Sequence, residues 1–410
     1  MRCHLRRTRT KAQVPRSLSL TPMAFDAKTK GLLAFLEAEA EKAPHVAGEY
    51  AQMSDLYTRK LWHQLTLLLE SFAATENTGP LLQPLYESFV EDFKHKLNCL
   101  ALARLQVAVA KQMPELAQQT FFCTTAAEAM GQNDRQARAF ILTELARLQL
   151  EGSMVDEAKA LLDDAATYIE SAAGLELAVQ ASYYRALSAY YKIRGPAGEF
   201  YKHALLLLAY APLSSMPTDE ALAISFDLGI AALVGEGLYN FGELLEHPVV
   251  TTLETTEFAW LADLLRAFNA GDIAQYEALV MTHHAKLEQQ PALLANTTFL
   301  KEKIMLMCLS ETLFQRIGPS GDRSISFADI AAASNLPVDQ VELLVMRALS
   351  LKLIRGLLDQ VDGTLRVTWV QPRVLQAAQI GLMKERLQTW TGTVNKTLTF
   401  LQDETPEFST

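Results

Sequence analysis

Cysteine is scarce in this chain, and none of it sits where it could do chemistry. The four thiols among 410 residues, Cys3, Cys99, Cys123 and Cys308, stand far apart, with no Cys-x-x-Cys pair and no histidine at zinc spacing. That usage excludes a disulfide scaffold and a zinc finger, and fits thiols buried as small hydrophobes in a reducing compartment. No run of about 18 apolar residues occurs, the length a membrane-spanning helix needs. The longest candidates, 203–213 and 221–234, are too short or carry Asp227 mid-span, so no transmembrane helix is expected. There is no His-x-His, no Gly-x-Ser-x-Gly elbow and no glycine loop followed by Lys-Ser/Thr. Metal-assisted hydrolysis, serine hydrolysis and phosphate-loop nucleotide chemistry therefore lack their usual carriers, and no catalytic residue, cofactor site or metal site is expected.

Positive charge is also short. The formal net charge is −10, which argues against a general nucleic-acid or anionic-membrane binder. Six of the 37 basic groups, Arg2, Arg6, Arg7, Arg9, Lys11 and Arg16, crowd into residues 1–22, which hold no acid; the remainder carries 31 basic against 47 acidic groups. That acid-free leader has the look of an organelle transit peptide, but an upstream start codon, with Met23-Ala24-Phe25 as the true beginning, is the preferred reading. Residues 1–22 are expected to be disordered either way. Apolar residues make up 50% of the chain and glycine and proline are modest, so two or three folded domains are expected.

Helical periodicity dominates from Lys30 to about Phe314. Leu32, Leu33, Phe35 and Leu36 open a helix that Pro44 ends, and Leu56-Tyr57-Thr58-Arg59-Lys60-Leu61-Trp62-His63-Gln64-Leu65-Thr66 leads into a second that stops before Asn77-Thr78-Gly79-Pro80. Leu85, Phe89, Phe93 and Leu97 step by four along the next, and amphipathic stretches follow over 100–113, 115–130, 135–150 and 154–171. Helices of three to four turns joined by short loops predict an α-solenoid of irregular, TPR-like pairs, because the tetratricopeptide consensus is not met at a fixed period. The aromatic ladder Tyr183-Tyr184, Tyr190-Tyr191 and Phe200-Tyr201 is expected to pack between neighbouring helices. Gly229, Gly235, Gly237 and Gly242 follow no strand, so a tight turn and close helix packing are expected of them in place of a phosphate loop. Gly271-Asp272 closes one helix and caps the next, running 273–287. Its adjacent His283 and His284 point about 100° apart and cannot chelate one metal. One more long helix is expected over 291–315.

The period then changes. Over 324–372, Ser326 and Asp329 form a capping-box pattern, Asn335-Leu336-Pro337 breaks one helix and starts another, and Val341, Leu344, Val345, Ala348 and Leu349 share a buried face. Leu365, Val367 and Trp369 then alternate with Arg366 and Thr368 after an Asp362-Gly363 turn. Two helices and a two-stranded hairpin predict a winged helix. Its second helix turns Asp339, Glu342, Leu343, Met346 and Ser350 outward, and carboxylates there repel phosphates, so protein is the expected partner and DNA is not. Leu343 and Met346 form an apolar step for that partner, with burial from a second side the competing reading. Beyond Pro372, Leu382, Met383, Leu387, Trp390, Val394 and Leu398 repeat at three-four spacing, predicting a terminal amphipathic helix with nothing obvious in its own chain to bury it, although folding back on the solenoid is the alternative.

Helical repeats feeding a winged helix and a terminal helix resemble the PCI-domain proteins of the proteasome lid, the signalosome and translation initiation factor three. The resemblance is carried by the 56–66 segment quoted above, by Gly235-Glu236-Gly237-Leu238-Tyr239-Asn240-Phe241-Gly242-Glu243-Leu244-Leu245, by Val341-Glu342-Leu343-Leu344-Val345-Met346 and by Thr368-Trp369-Val370-Gln371-Pro372-Arg373-Val374. It implies a mainly α chain divided into a leader (1–22), helical repeats (23–204), a PCI domain (205–372, its winged helix from 321) and a C-terminal helix and tail (373–410). It further implies a non-catalytic lid subunit of the proteasome regulatory particle, acting in assembly and so in ubiquitin-dependent degradation in cytoplasm and nucleus. The implied partners are other PCI subunits, met side by side through their winged helices, and the lid deubiquitinase subunits, met through a helical bundle. On this resemblance Arg355, Leu357 and Arg366 of the wing and Leu387, Trp390, Val394 and Leu398 of the tail are expected to face partners. A scaffold subunit of the signalosome or of initiation factor three is the alternative.

Overall fold

The computed structural model of the chain describes residues 22–75, 81–130, 134–171, 174–316, 324–372, 374 and 377–404. The expectation of disorder for the leader therefore lies, but for Pro22, outside the described residues. Two compact units divide the chain: Met1–Gly152 with Asp163–Ala173, and Ser153–Leu162 with Gly174–Thr410. Among the described residues every strand lies between Ser324 and Val370, and what precedes them is helical.

In the first unit successive helices pack through short connectors, as in Cys99–Gln112, Leu116–Ala129 and Arg135–Glu151. Asn98 starts the first of these by accepting the Leu100 N–H at 3.0 Å, satisfying one of the donors a helix start leaves open. The sequence reading needs two corrections here. The 56–66 segment is not one helix. Ala47–Thr58 and Trp62–Ala74 are separated at Lys60, whose φ of 59° is left-handed. An aromatic cluster drives that turn: Tyr57 packs on Trp62, Phe89 and Phe93 with ring centroids 5.3–5.7 Å apart, and its hydroxyl donates to Asp92 at 2.9 Å. Second, the four-residue step from Leu85 to Leu97 is not a regular helix, because Tyr86–Val90 widens into a π-turn before Glu91–Phe93. The wider turn still buries Phe89 and Phe93 together.

In the second unit one continuous core runs from Phe200 through Trp260, Leu265 and Ile304 to Val345, Leu365 and Val367. The winged helix shares this core with the helices before it. The aromatic ladder packs as predicted between Leu177–Arg194 and Ala197–Tyr210, with Tyr190, Phe200 and Tyr201 buried and the His203 ring stacked 5.1 Å from Tyr191. Gly271 ends Ala259–Ala270 in the left-handed region and Asp272 caps Ile273–Thr282 through the Gln275 N–H at 3.0 Å. Two predicted helices are broken: His283 separates Ile273–Thr282 from His284–Glu288, and Asn296 separates Pro291–Ala295 from Thr297–Arg316.

The most unexpected side chain in this unit is Lys303, fully buried on Thr297–Arg316. Its ammonium donates to the carbonyls of Ala232, Leu233 and Gly235 at 2.8–2.9 Å, the carbonyls that the end of Thr218–Val234 leaves without helical partners. Ring faces of Phe241, Phe299 and Tyr239 lie 5.2–5.6 Å from the nitrogen, a cation–π arrangement. The glycine-rich loop after that helix is thus moulded around a lysine. Gly237 makes its tight turn at a φ of 74°, and Gly229 lies against Leu261.

The wing is a three-stranded sheet, not the two-stranded hairpin expected: β1 (Ser324–Ser326), β2 (Ile354–Asp359) and β3 (Thr364–Val370), in the order β1-β3-β2 and all antiparallel. Three residues before the first helix are too short for an alternation signal, yet Ser324 pairs with Arg366 and Ser326 with Thr364.

Candidate partner interface

Local rules build the winged helix. Ser326 Oγ accepts the Asp329 N–H at 3.2 Å and starts Phe327–Ser334, and the Phe327 N–H donates to the Gly363 carbonyl at 2.8 Å, tying that start to the wing turn. Asn335 in the left-handed region ends the helix. Val338–Ser350 buries Val341, Leu344, Val345 and Ala348, and Lys352 at a φ of 59° swings the chain into β2. Asp359 accepts the N–H groups of Val361 and Asp362 to close the hairpin.

All nine residues predicted to face partners are exposed in the chain. On the second helix Leu343 is 62% and Met346 47% exposed, so neither is buried from a second side. The flanking groups hold each other: Arg347 pairs with Glu302 at 2.8 Å, and Gln360 of the wing turn donates to Glu342 at 3.1 Å. A DNA-reading helix aims Arg, Lys, Asn or Gln at base edges; Leu343 and Met346 stand in that place.

Arg355, Leu357 and Arg366 share the outer face of the sheet, opposite the buried Ile354, Leu365 and Val367. The Arg355 guanidinium lies 4.7 Å above the Trp369 ring, presenting a flat cationic–aromatic plate beside Leu357, which is 69% exposed. Sequence reasoning missed Val361 at the wing tip, 96% exposed; a lone valine after Asp359-Gln360 reads as turn filler. Because β3 is central, β2 leaves one side without a sheet partner among the described residues, an edge that a neighbour's strand can extend. A bulge opposite Arg355-Gly356 twists that edge, with the Thr368 hydroxyl donating to the Arg355 carbonyl at 3.0 Å. Gly356 is required there, since a Cβ would run into the Arg366 carbonyl oxygen and stand 3.3 Å from Val367 Cα. Gly356→Val should unpair the two strands and lower stability by about 1–3 kcal/mol; an unchanged thermal midpoint would show that the bulge tolerates a side chain.

The terminal helix, Ala377–Glu404, is exposed at every described side chain. Met383, Leu387, Trp390, Val394 and Leu398 of the predicted stripe are exposed, Ile380 and Leu401 extend it at both ends, and the Leu382 side chain lies outside the described residues. Its threonines bond back within the helix, as Thr391 does to the Leu387 carbonyl at 2.8 Å, so the polar face is satisfied and the apolar face is not covered.

Burial pushes the Cys123 thiol up to about 11 and also raises that of Cys308, away from nucleophilic thiolate. Among the described residues no cluster of three or more His, Cys, Asp or Glu could hold a metal ion, and no helix is long and apolar enough to cross a membrane.

Residues 49–265 match the family of PSD13 N-terminal repeats, and residues 280–369 match the PCI domain. The chain is 40% identical to the 26S proteasome non-ATPase regulatory subunit 13 homolog B of Arabidopsis thaliana, over 92% of this chain and 98% of that protein. It is 33% identical to the 26S proteasome regulatory subunit RPN9 of Saccharomyces cerevisiae, over 89% and 94%. Its likeness to the eukaryotic translation initiation factor 3 subunit M of Neosartorya fischeri is 24% over 49% of this chain and 42% of that protein.

Proposed function

The chain belongs to the family of 26S proteasome non-ATPase regulatory subunit 13, and on that premise we propose that it is a structural subunit of the lid of the proteasome regulatory particle. It carries no reaction of its own and serves ubiquitin-dependent degradation, in cytoplasm and nucleus, by holding other subunits together. The observation that carries this reading is the terminal helix, a long amphipathic element whose described apolar side chains all lie in solvent. Such a stripe buries its apolar surface only when sister helices cover it.

Division of labour follows from the two exposed surfaces. The wing, with Arg355, Leu357, Arg366, Leu343 and Met346, meets neighbouring PCI subunits and extends their sheets. The tail, with Leu387, Trp390, Val394 and Leu398, joins a bundle that includes the lid deubiquitinase subunits. The block formed by residues 205–372 docks as one piece, because the winged helix shares its core with the helices before it. Purification of the tagged chain from its own cells should bring down the other lid subunits and the ATPase ring. Recovery of signalosome or initiation factor subunits in their place would overturn the assignment.

A further inference from the structure

The strand that ends the wing does not run directly into the terminal helix; it is pinned twice first. The Gln371 N–H donates to the Leu353 carbonyl at 2.8 Å, inside the winged helix. Three residues later Val374 presses on Gly242, the buried first residue of the short helix Gly242–Glu246. The fit is tight: a Cβ at Gly242 would run into Val374 Cβ and stand 3.2 Å from its Cγ2. Only two residues separate Val374 from Ala377, where the terminal helix begins, and three peptide steps span at most about 11 Å. Whatever fixes Val374 therefore keeps the start of that helix within that reach.

The wall that receives Val374 is itself held hard. It is the loop 235–242, whose first carbonyl, that of Gly235, is bonded by Lys303, and whose Tyr239 and Phe241 rings face the same ammonium. At its other end Asn240 Oδ1 accepts the Gly242 N–H at 3.2 Å. A buried cation, two rings and a side-chain bond to the backbone are more than a surface connection needs. We infer that the loop 235–242 is the socket of the terminal helix, and that Gly242 and Val374 are positioning residues for lid assembly: they hold the root of the helix at one point on the body so that its apolar stripe meets partner helices already placed. This rests on the lid reading above. Its physical content is preorganisation, since a helix swinging on a free joint must give up that freedom on docking.

The test exchanges the knob and the hole. Gly242→Ala suits a helix at least as well as glycine, so it should leave the circular dichroism of the purified chain unchanged and lower its thermal midpoint only by the Val374 contact it displaces. Spin labels at the exposed positions Glu236 and Thr391, with Cys3 and Cys99 replaced by Ser, report the root of the helix against the loop. The wild-type chain should give one narrow distance distribution, Gly242→Ala a broad one, and Gly242→Ala with Val374→Gly a narrow one again. Entry into the lid at limiting concentration, read on native gels with co-expressed partners, should fall about tenfold for the single variant and recover in the double. A wild-type distance distribution in Gly242→Ala, or no recovery in the double variant, would overturn the socket. Broadened distances with undiminished entry would also overturn it as a positioning device, leaving the lid assignment intact. Failure of the lid assignment itself would appear separately, as a tagged wild-type chain that brings down no lid subunits.

Discussion

A chain carrying Leu387→Asp together with Trp390→Asp folds as the wild type does and fails to enter the lid. Both side chains are exposed in the free chain, Leu387 at 57% and Trp390 at 66%, so their replacement removes little buried area. Covered by a partner helix, each apolar anchor contributes about 2–3 kcal/mol, and a carboxylate in its place must be desolvated. Loss of both corresponds to at least about a thousandfold in affinity. Unchanged circular dichroism of the isolated variant, with its absence from the lid band on a native gel, is the expected pair of results. Normal incorporation would remove the bundling role from this helix.

Lys303→Met should be the most damaging single substitution within the second unit. Methionine fills a similar volume but leaves the carbonyls of Ala232, Leu233 and Gly235 without their buried donor. Removing one partner from a buried charged network costs about 3–5 kcal/mol, a large share of the roughly 5–15 kcal/mol that keeps a domain folded. The thermal midpoint should fall by roughly 10 °C, and a fall of a degree or two would show that water can replace the lysine. A pH signature accompanies this. Burial pushes the Lys303 ammonium down to about 7, whereas an unfolded lysine keeps its proton to the ordinary value. Between those limits the unfolded state holds the extra proton, so this group makes stability rise with pH, and its penalty is full below about 7. The gap in unfolding free energy between wild type and Lys303→Met should therefore widen from pH 7 to pH 9, by at most about 1.4 kcal/mol per unit. A constant gap would mean that the three carbonyls hold the proton on.

How far these features can be read from the sequence depends on whether their cause is local. The capping box at Ser326, the helix break at Asn335-Leu336-Pro337 and the Asp362-Gly363 turn each act within four residues, and each is legible in the sequence. The stripe of the terminal helix was equally legible, because periodicity needs no partner to be visible. β1 was not, since Ser324–Ser326 becomes a strand only by pairing with residues some forty positions away. The break at Lys60 depends on rings at Phe89 and Phe93, and a lysine gives no turn signal. Lys303 was missed because lysine reads as surface. Yet it falls in register with Leu300, Ile304 and Met307 on the buried face of its helix, and a charge on that face was the clue available. The Gly242–Val374 contact left no trace of its own; the two lie far apart in the chain, and nothing in the sequence around either indicates that they meet.

The uncovered stripe from Ile380 to Leu401 also bears on supply. A copy synthesised ahead of its companions offers the crowded cell a long greasy ridge, and the nearest identical ridge is another surplus copy. Two of them can zip together, or a larger number can clump, before the intended company arrives. Production of this polypeptide must therefore keep step with that of its companions, and unassembled surplus must be shielded by chaperones or cleared.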